Sequence, residues 1–282
     1  LPPNTQGLAA LQMLNVLEGV DLAKAGWGST AHVHWFTEAK KLAYEDLTAL
    51  NADPTGQTLP VERLLSKEYA TQRRALVKAD RAGVYDSGLR PDSHTVYLTT
   101  ADKDGNMVSL IQSNSLNFGS LEVADGLGFV LHNRGMWYEL TEGHPNSYAP
   151  GKRPFHTIIP GFVTKDGEPF LSFGVMGGDM QPQGHVQILL NLIDFGMNLQ
   201  EAGDAPRIYH AGTFSRVGHV KDVGDLQLEQ GYPAETVRDL MRAGHRVLHA
   251  YGLYGGYQAI MRKDGVYYGA SESRKDGQAA GY

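Results

Sequence analysis

Apolar residues recur at helical spacing through the first third of the chain and at strand spacing through much of the rest. Ala10, Met13, Leu14 and Leu17 fall at i, i+3, i+4 and i+7, which predicts a helix over residues 8–18 that stops near Gly19. Trp35, Phe36, Ala39, Leu42 and Ala43 form the buried stripe of a second helix that Ser29 or Thr30 can cap and that runs to about residue 50. Ser66 can cap a third helix running to 77. Residues 78–91 are polar, with Gly83 and Gly88, and are expected to form an exposed, cleavable connection.

Beyond this connection the period changes. Val96 and Leu98 alternate with Tyr97 and Thr99, Asp102-Lys103-Asp104-Gly105-Asn106 makes a turn, and 107–113 returns as a second strand. A second hairpin is expected over 157–163 and 170–175 around Lys165-Asp166-Gly167-Glu168, and a third over 257–269 around Lys263-Asp264-Gly265. Their uneven spacing marks reused turn chemistry rather than a repeat. Residues 126–131 read as a further strand, and helices are expected over 182–195, 199–204 and 233–243. Hairpins with interleaved helices predict an α+β body, and the shift at 94/95 is the best internal boundary.

Composition narrows the function. The net charge is −6 with no dense basic run, which argues against nucleic acid and anionic membrane as partners. The absence of cysteine removes disulfides, thiolate metal sites and a cysteine nucleophile together. No apolar run approaches the length of a membrane-spanning helix. The chain opens Leu1-Pro2-Pro3 rather than with Met, as expected of a processed piece. Any address signal would lie upstream of Leu1, so the compartment, cytoplasmic or periplasmic/secreted, stays open.

Chemistry centres on Thr95, the head of the first strand. A threonine hydroxyl is a poor nucleophile until a base takes its proton. If the chain is cut before Thr95, the new α-amine lies on the same residue. With a pKa of about 7.7–8.0 it is largely neutral at working pH. Read alone, Thr95 is a β-branched strand residue, as most strand threonines are. Metal chemistry has less support. His32 and His34 are two apart on a helix and face different ways, so surface or cap roles are expected. His245 and His249 are four apart, but Gly244 ends the helix and no His-Glu-x-x-His pattern is present.

Taken in order, Thr95 with its Asp-Gly-Asn turn, Asn117-Phe118-Gly119-Ser120, Gly151-Lys152-Arg153-Pro154, Met176-Gly177-Gly178, Gly269-Ala270-Ser271 and Ala280-Gly281-Tyr282 form one series. That series resembles the gamma-glutamyltranspeptidase family of N-terminal nucleophile hydrolases, over essentially the whole chain. The opening Pro-Pro-Asn-Thr-Gln-Gly helix is similar to the later part of that family's large subunit. The resemblance implies an αββα sandwich of two stacked antiparallel sheets flanked by helices, and a precursor that cuts itself between His94 and Thr95. Residues 1–94 would then be the helical end of a large subunit and 95–282 the small subunit. Thr95 would be the nucleophile, Ser113 the hydroxyl that bonds to it, and Gly177 and Gly178 the oxyanion-binding pair. Substrate contacts are expected at Ser115, Arg134, His156 and Thr157. The substrate would be a small-molecule amide, a γ-glutamyl or related acyl amide resolved by water or an amine, with no metal or organic cofactor. A homo-oligomer is left open.

The departures point to an acylase-like branch. Family members carry an acidic pair for the substrate ammonium where this chain reads Arg134-Gly135-Met136-Trp137-Tyr138, with no acid before Glu139. Two serines expected after Lys-Arg-Pro are replaced by His156 and Thr157, behind Phe155, so one hydroxyl survives. Arg134 can instead pair with a substrate carboxylate through its bidentate fork, or form a structural ion pair. The competing readings are a cephalosporin/glutaryl-type acylase and a catalytically silent binding or scaffold protein of the same fold.

Overall fold

The computed structural model describes residues 1–55, 57–85, 94–212, 222–249 and 254–282. The first half runs α1 (Gly7–Leu17), α2 (Leu22–Ala25), α3 (Thr30–Leu50), α4 (Val61–Leu64), α5 (Lys67–Arg74), β1 (His94–Ala101) and β2 (Met107–Ser115). The second runs β3 (Gly161–Lys165), β4 (Glu168–Met176), α6 (Met180–Ile193), α7 (Leu199–Asp204), β5 (Ile208–Ala211), β6 (Asp225–Leu228), α8 (Ala234–Arg242), β7 (Arg246–Leu248), β8 (Gly256–Lys263) and β9 (Val266–Ser271). The result is a mixed α and β chain with antiparallel sheets and helices. It divides into two compact units: Leu1–Pro91 with Gly135–His156 and Pro206–Leu253, and Asp92–Arg134 with Thr157–Ala205 and Tyr254–Tyr282.

The first unit is built on α3. Ser29 caps it by accepting from the His32 N–H at 3.1 Å, and Phe36, Ala39, Leu42 and Leu47 are buried. α1 packs on α3 with Met13, Val16 and Leu17 inward. Ser66 caps α5 from the Tyr69 N–H at 3.1 Å. Asp46 joins all three helices, accepting from Gln12 at 2.8 Å and from the Tyr69 hydroxyl at 3.0 Å.

α3 also buries polar groups, and this corrects the surface role expected for His32 and His34, while the cap role holds for His32. Both are buried, because α3 is covered on nearly every side, so residues two apart both face protein. His32 Nδ1 accepts from the Gly28 N–H at 3.1 Å. His34 Nε2 lies 2.8 Å from the Lys78 carbonyl, so it must carry the proton. His34 Nδ1 therefore accepts from His245 Nε2 at 2.8 Å. One turn on, Glu38 and Lys41 form an ion pair at 2.7 Å with both side chains fully buried. Glu38 also accepts from the Gly83 N–H and the Tyr85 hydroxyl, each at 2.9 Å, while Lys41 donates to the Gly83 carbonyl at 3.0 Å. The segment 78–85 is thus pinned by hydrogen bonds to buried side chains of α3; residues 86–91 of the expected connection lie outside the described residues.

Cutting Glu38 back to alanine would strand the Lys41 ammonium in the interior. The expected loss is about 3–5 kcal/mol of stability, read by urea denaturation. A loss below about 1 kcal/mol would show that the pair is dispensable.

The same unit holds a three-stranded sheet, β5 and β6 antiparallel and β6 and β7 parallel, which the sequence pattern did not reveal. Ile208, Leu226 and Leu228 are its buried aliphatic residues.

The second unit is layered. In β4, Leu171, Phe173 and Val175 point to a core shared with Ile188 of α6, Leu199 of α7 and Tyr257 and Ala259 of β8. Ser172 and Gly174 point the opposite way, toward the β1–β2 hairpin. There the Thr99 and Ser172 hydroxyls meet at 2.6 Å, and the Tyr97 ring lies on Gly174, where any Cβ would fall 2.3 Å from a ring carbon. β3, β4, β8 and β9 form one antiparallel sheet in that order. Its two tight turns place Asp166-Gly167 and Asp264-Gly265 at positive φ, as two-residue hairpin loops require. Residues 126–131 are not a strand. Gly126 and Gly128 both take positive φ, which breaks the extended run and leaves a lone bridge between Val123 and Val130.

Candidate active site

Thr95 is the second residue of β1 and is only 7% exposed. On the inner face of the hairpin it is followed by Tyr97 and Thr99, while Val96 and Leu98 face outward and are exposed. The ladder between β1 and β2 shifts register between His94 and Val96, so Thr95 sits at a bulge. Bulges re-aim side chains. Here the Thr95 hydroxyl donates to Ser113 Oγ at 3.2 Å, and the same oxygen accepts from the Ser115 N–H at 3.0 Å. Ser115 is fully buried with φ +76°, and Asn117 follows at φ +42°. Two non-glycine residues in the left-handed region, just past a pair of bonded hydroxyls, mark a locally strained turn.

Gly177 and Gly178 link β4 to α6. Their carbonyls accept from Met180 at 2.9 Å and Gln181 at 3.1 Å, opening the helix. Gly177 has φ +126° and Gly178 φ +58°, and a Cβ on Gly177 would lie 3.1 Å from Gly255 Cα. Gly255 needs its own bareness: a Cβ there would stand 2.5 Å from the Met176 carbonyl. Backbone thus crosses backbone at the end of β4, which only glycines permit.

Arg134 begins a single 3-10 turn ending at Trp137. It is 1% exposed, and its Nη1 donates to Thr157 Oγ1 at 3.1 Å. The preceding Asn133, which sequence reasoning passed over, fixes it against β2. Its N–H donates to the Asn114 carbonyl at 3.1 Å, and its side-chain oxygen accepts from the Leu116 N–H at 3.1 Å. An asparagine among polar neighbours after an apolar run was the available signal. Burial lowers the Arg134 pKa to about 10. The structure therefore groups Thr95 with Ser113 and Ser115, and Arg134 with Thr157. His156 belongs to the other unit, where its Nδ1 lies 3.1 Å from the Asn4 side chain and 2.8 Å from the Pro154 carbonyl. Arg153 of the same motif donates to Asp53 Oδ2 from its main chain at 2.8 Å and its side chain at 2.7 Å, holding that carboxyl well below the usual range.

Among the described residues, His34, Glu38 and His245 offer metal-ligating atoms within 4.8 Å of one another. The Lys41 ammonium on Glu38 and the His34–His245 hydrogen bond engage Glu38 Oε1, His34 Nδ1 and His245 Nε2, and His245 Nδ1 has no partner among the described residues. His249, expected near His245, is exposed.

A family model, Gamma-glutamyltranspeptidase, matches residues 1–282. The chain is 36% identical over 287 residues to the glutathione hydrolase-like YwrD proenzyme of Bacillus subtilis, covering 99% of this chain and 53% of that protein. It is 36% identical over 279 residues to the acylase ACY 1 proenzyme of Pseudomonas sp. strain SE83, covering 98% and 48% respectively. The crystal structure of a cephalosporin acylase from Bacillus halodurans superposes with a TM-score of 0.88 at 42% identity, over 100% of this chain and 50% of that one. The chain spans about half the length of the curated relatives it matches. It belongs to the gamma-glutamyltranspeptidase family.

Proposed function

We propose that this chain is the catalytic portion of a threonine N-terminal nucleophile amidohydrolase that cuts itself between His94 and Thr95. The observation that carries the reading is the hydrogen bond between the Thr95 and Ser113 hydroxyls at the bulge that opens β1. Residues 1–94 would form the end of a large subunit and residues 95–282 the small subunit, within an αββα sandwich.

The cut creates the base. Once His94 is released, the Thr95 α-amine takes the proton of its own hydroxyl as the oxygen attacks an amide carbonyl. Ser113 keeps the hydroxyl oriented. Gly177 and Gly178 are the donors for the tetrahedral oxyanion. The packing supports this: Thr99 lies on Ser172 and Tyr97 on Gly174, so the Thr95 end of β1 runs toward the end of β4 that leads into the glycine pair. The positive end of α6 adds to the donors' field. The amine then leaves with the proton, and water or an acceptor amine attacks the ester-linked acyl group. Ser115, Arg134 and Thr157 are the substrate-facing residues of this unit in this reading, and the acyl group is γ-glutamyl or a related one.

Rapid acid quench of the protein with an acyl p-nitroanilide, followed by mass spectrometry, tests the chemistry. The 95–282 piece should gain the mass of the acyl group, mapped to Thr95; anilide release with no such adduct under single-turnover conditions would count against it. The pH dependence has a definite sign. The α-amine must be neutral to accept the proton, so kcat/KM should rise through about pH 7.7–8 and fall roughly tenfold per unit below. A profile that stays flat down to pH 6 would assign the base elsewhere.

A further inference from the structure

Gln181 is a fully buried amide in the first turn of α6. Its N–H donates to the Gly178 carbonyl at 3.1 Å, so it belongs to the turn that carries the glycine pair. Its side-chain Oε1 accepts from the Ile159 N–H at 3.0 Å, while its Nε2 has no partner among the described residues. Burying an amide with one end unsatisfied is costly, and leucine would fill the same space. The bond to Ile159 is what separates glutamine from leucine at this position.

Ile159 is two residues from Thr157. Both are buried, whereas Ile158 and Pro160 are half-buried. That alternation is the pattern of extended chain, which sets the two buried residues about 6.6 Å apart. Thr157 in turn accepts from Arg134 Nη1 at 3.1 Å. His185, one turn beyond Gln181, backs the same segment. Its Nδ1–H donates to the Gln181 carbonyl at 2.6 Å, and a Cβ on Gly161 would lie 3.0 Å from its Cδ2. Backbone on the Thr157 side is therefore clamped to the first turns of α6.

We propose that Gln181 is a positioning residue that fixes the distance from the oxyanion donors to Thr157, and so sets the length of acyl chain the site accepts. This deepens the reading given above and rests on it. Gly177 and Gly178 would hold the carbonyl oxygen at one end of the acyl group, and Thr157 would face it further along. With Ile159 held to α6, one methylene more or fewer misplaces the reacting carbonyl. Gln181 itself touches no substrate atom.

Two pairs of p-nitroanilides vary length alone: γ-glutamyl with β-aspartyl, and glutaryl with succinyl, one methylene apart within each pair. Wild-type kcat/KM should differ about tenfold or more within the better-used pair. Gln181→Leu keeps the volume but leaves the Ile159 N–H without its acceptor. It should narrow the ratio to within about threefold, chiefly through kcat on the preferred substrate, and speed exchange of the Ile159 amide hydrogen about tenfold or more. Gln181→Glu, held neutral by burial, keeps an acceptor oxygen and gives up no bond at Nε2. It should restore both the ratio and the slow exchange to within about twofold of wild type. A wild-type protein indifferent to length overturns the proposal. So does a Gln181→Leu protein that exchanges Ile159 faster yet keeps the wild-type ratio, or that melts lower and loses all four activities by one factor. If wild type cleaves none of the four, the nucleophile assignment falls by itself. Calorimetric titration of the product acids, glutamate against aspartate and glutarate against succinate, then reads the same length ratios without turnover.

Discussion

Replacing Thr95 by valine or alanine is expected to leave the chain in one piece and to lower amide turnover by roughly 10⁴-fold or more, the scale of losing a nucleophile. Valine is the sharper probe. It keeps the β-branched shape that suits β1, so the hairpin should form with Tyr97 and Thr99 still on Gly174 and Ser172. What disappears is the hydroxyl that donates to Ser113. Thr95→Ser should restore both the cut and turnover, more slowly, because the oxygen returns without the methyl group that limits χ1. Supplying 1–94 and 95–282 as separate chains, with and without Thr95→Val, distinguishes the two roles. If Thr95 acted only in processing, the pre-cut valine protein would be active. The account expects it to be inactive.

The second large effect is expected at Gly177. Its φ of +126° is one that L side chains rarely adopt, and the new Cβ of Gly177→Ala would stand 3.1 Å from Gly255 Cα. The peptide must rotate to relieve this, and its N–H turns with it. Loss of one oxyanion donor costs about 10²–10³ in kcat with little change in KM. Gly178→Ala should be milder, since φ +58° lies in the left-handed helical region that other residues can reach. Measuring kcat, KM and melting temperature on both variants separates catalysis from folding. If Gly177→Ala melts lower but retains kcat per folded molecule, the pair serves the β4–α6 turn alone.

Legibility in the sequence followed the strength of local signals. α3 could be placed closely because Ser29 and Thr30 are the cap candidates and its apolar stripe is long, and α7 matches the expected 199–204. The second and third hairpins were readable because Asp-Gly turns dictate positive φ at both loop residues. β5, β6 and β7 were not, for they have only 4, 4 and 3 residues and owe their existence to pairing across the chain. Residues 126–131 misled in the opposite sense, since the apolar residues suggested a strand that Gly126 and Gly128 forbid. The histidines of α3 show what a one-dimensional period omits. Spacing says that His32 and His34 diverge, but tertiary packing decides that both directions lead into protein.

At the site the same division holds. Thr95 stood out chemically, and Ser113 and the glycine pair entered by resemblance. That Arg134 is buried beside Thr157 with no carboxylate among the described residues is a tertiary fact. A sequence offers an arginine; only the fold says whether an acid accompanies it.

The most direct test of the account is N-terminal sequencing of the purified wild-type protein after incubation. A second N-terminus reading Thr-Val-Tyr-Leu-Thr should accumulate in first-order fashion independent of protein concentration, as an intramolecular cut must. An N-terminus beginning at any other residue, or a rate that scales with concentration, would contradict self-cleavage by Thr95.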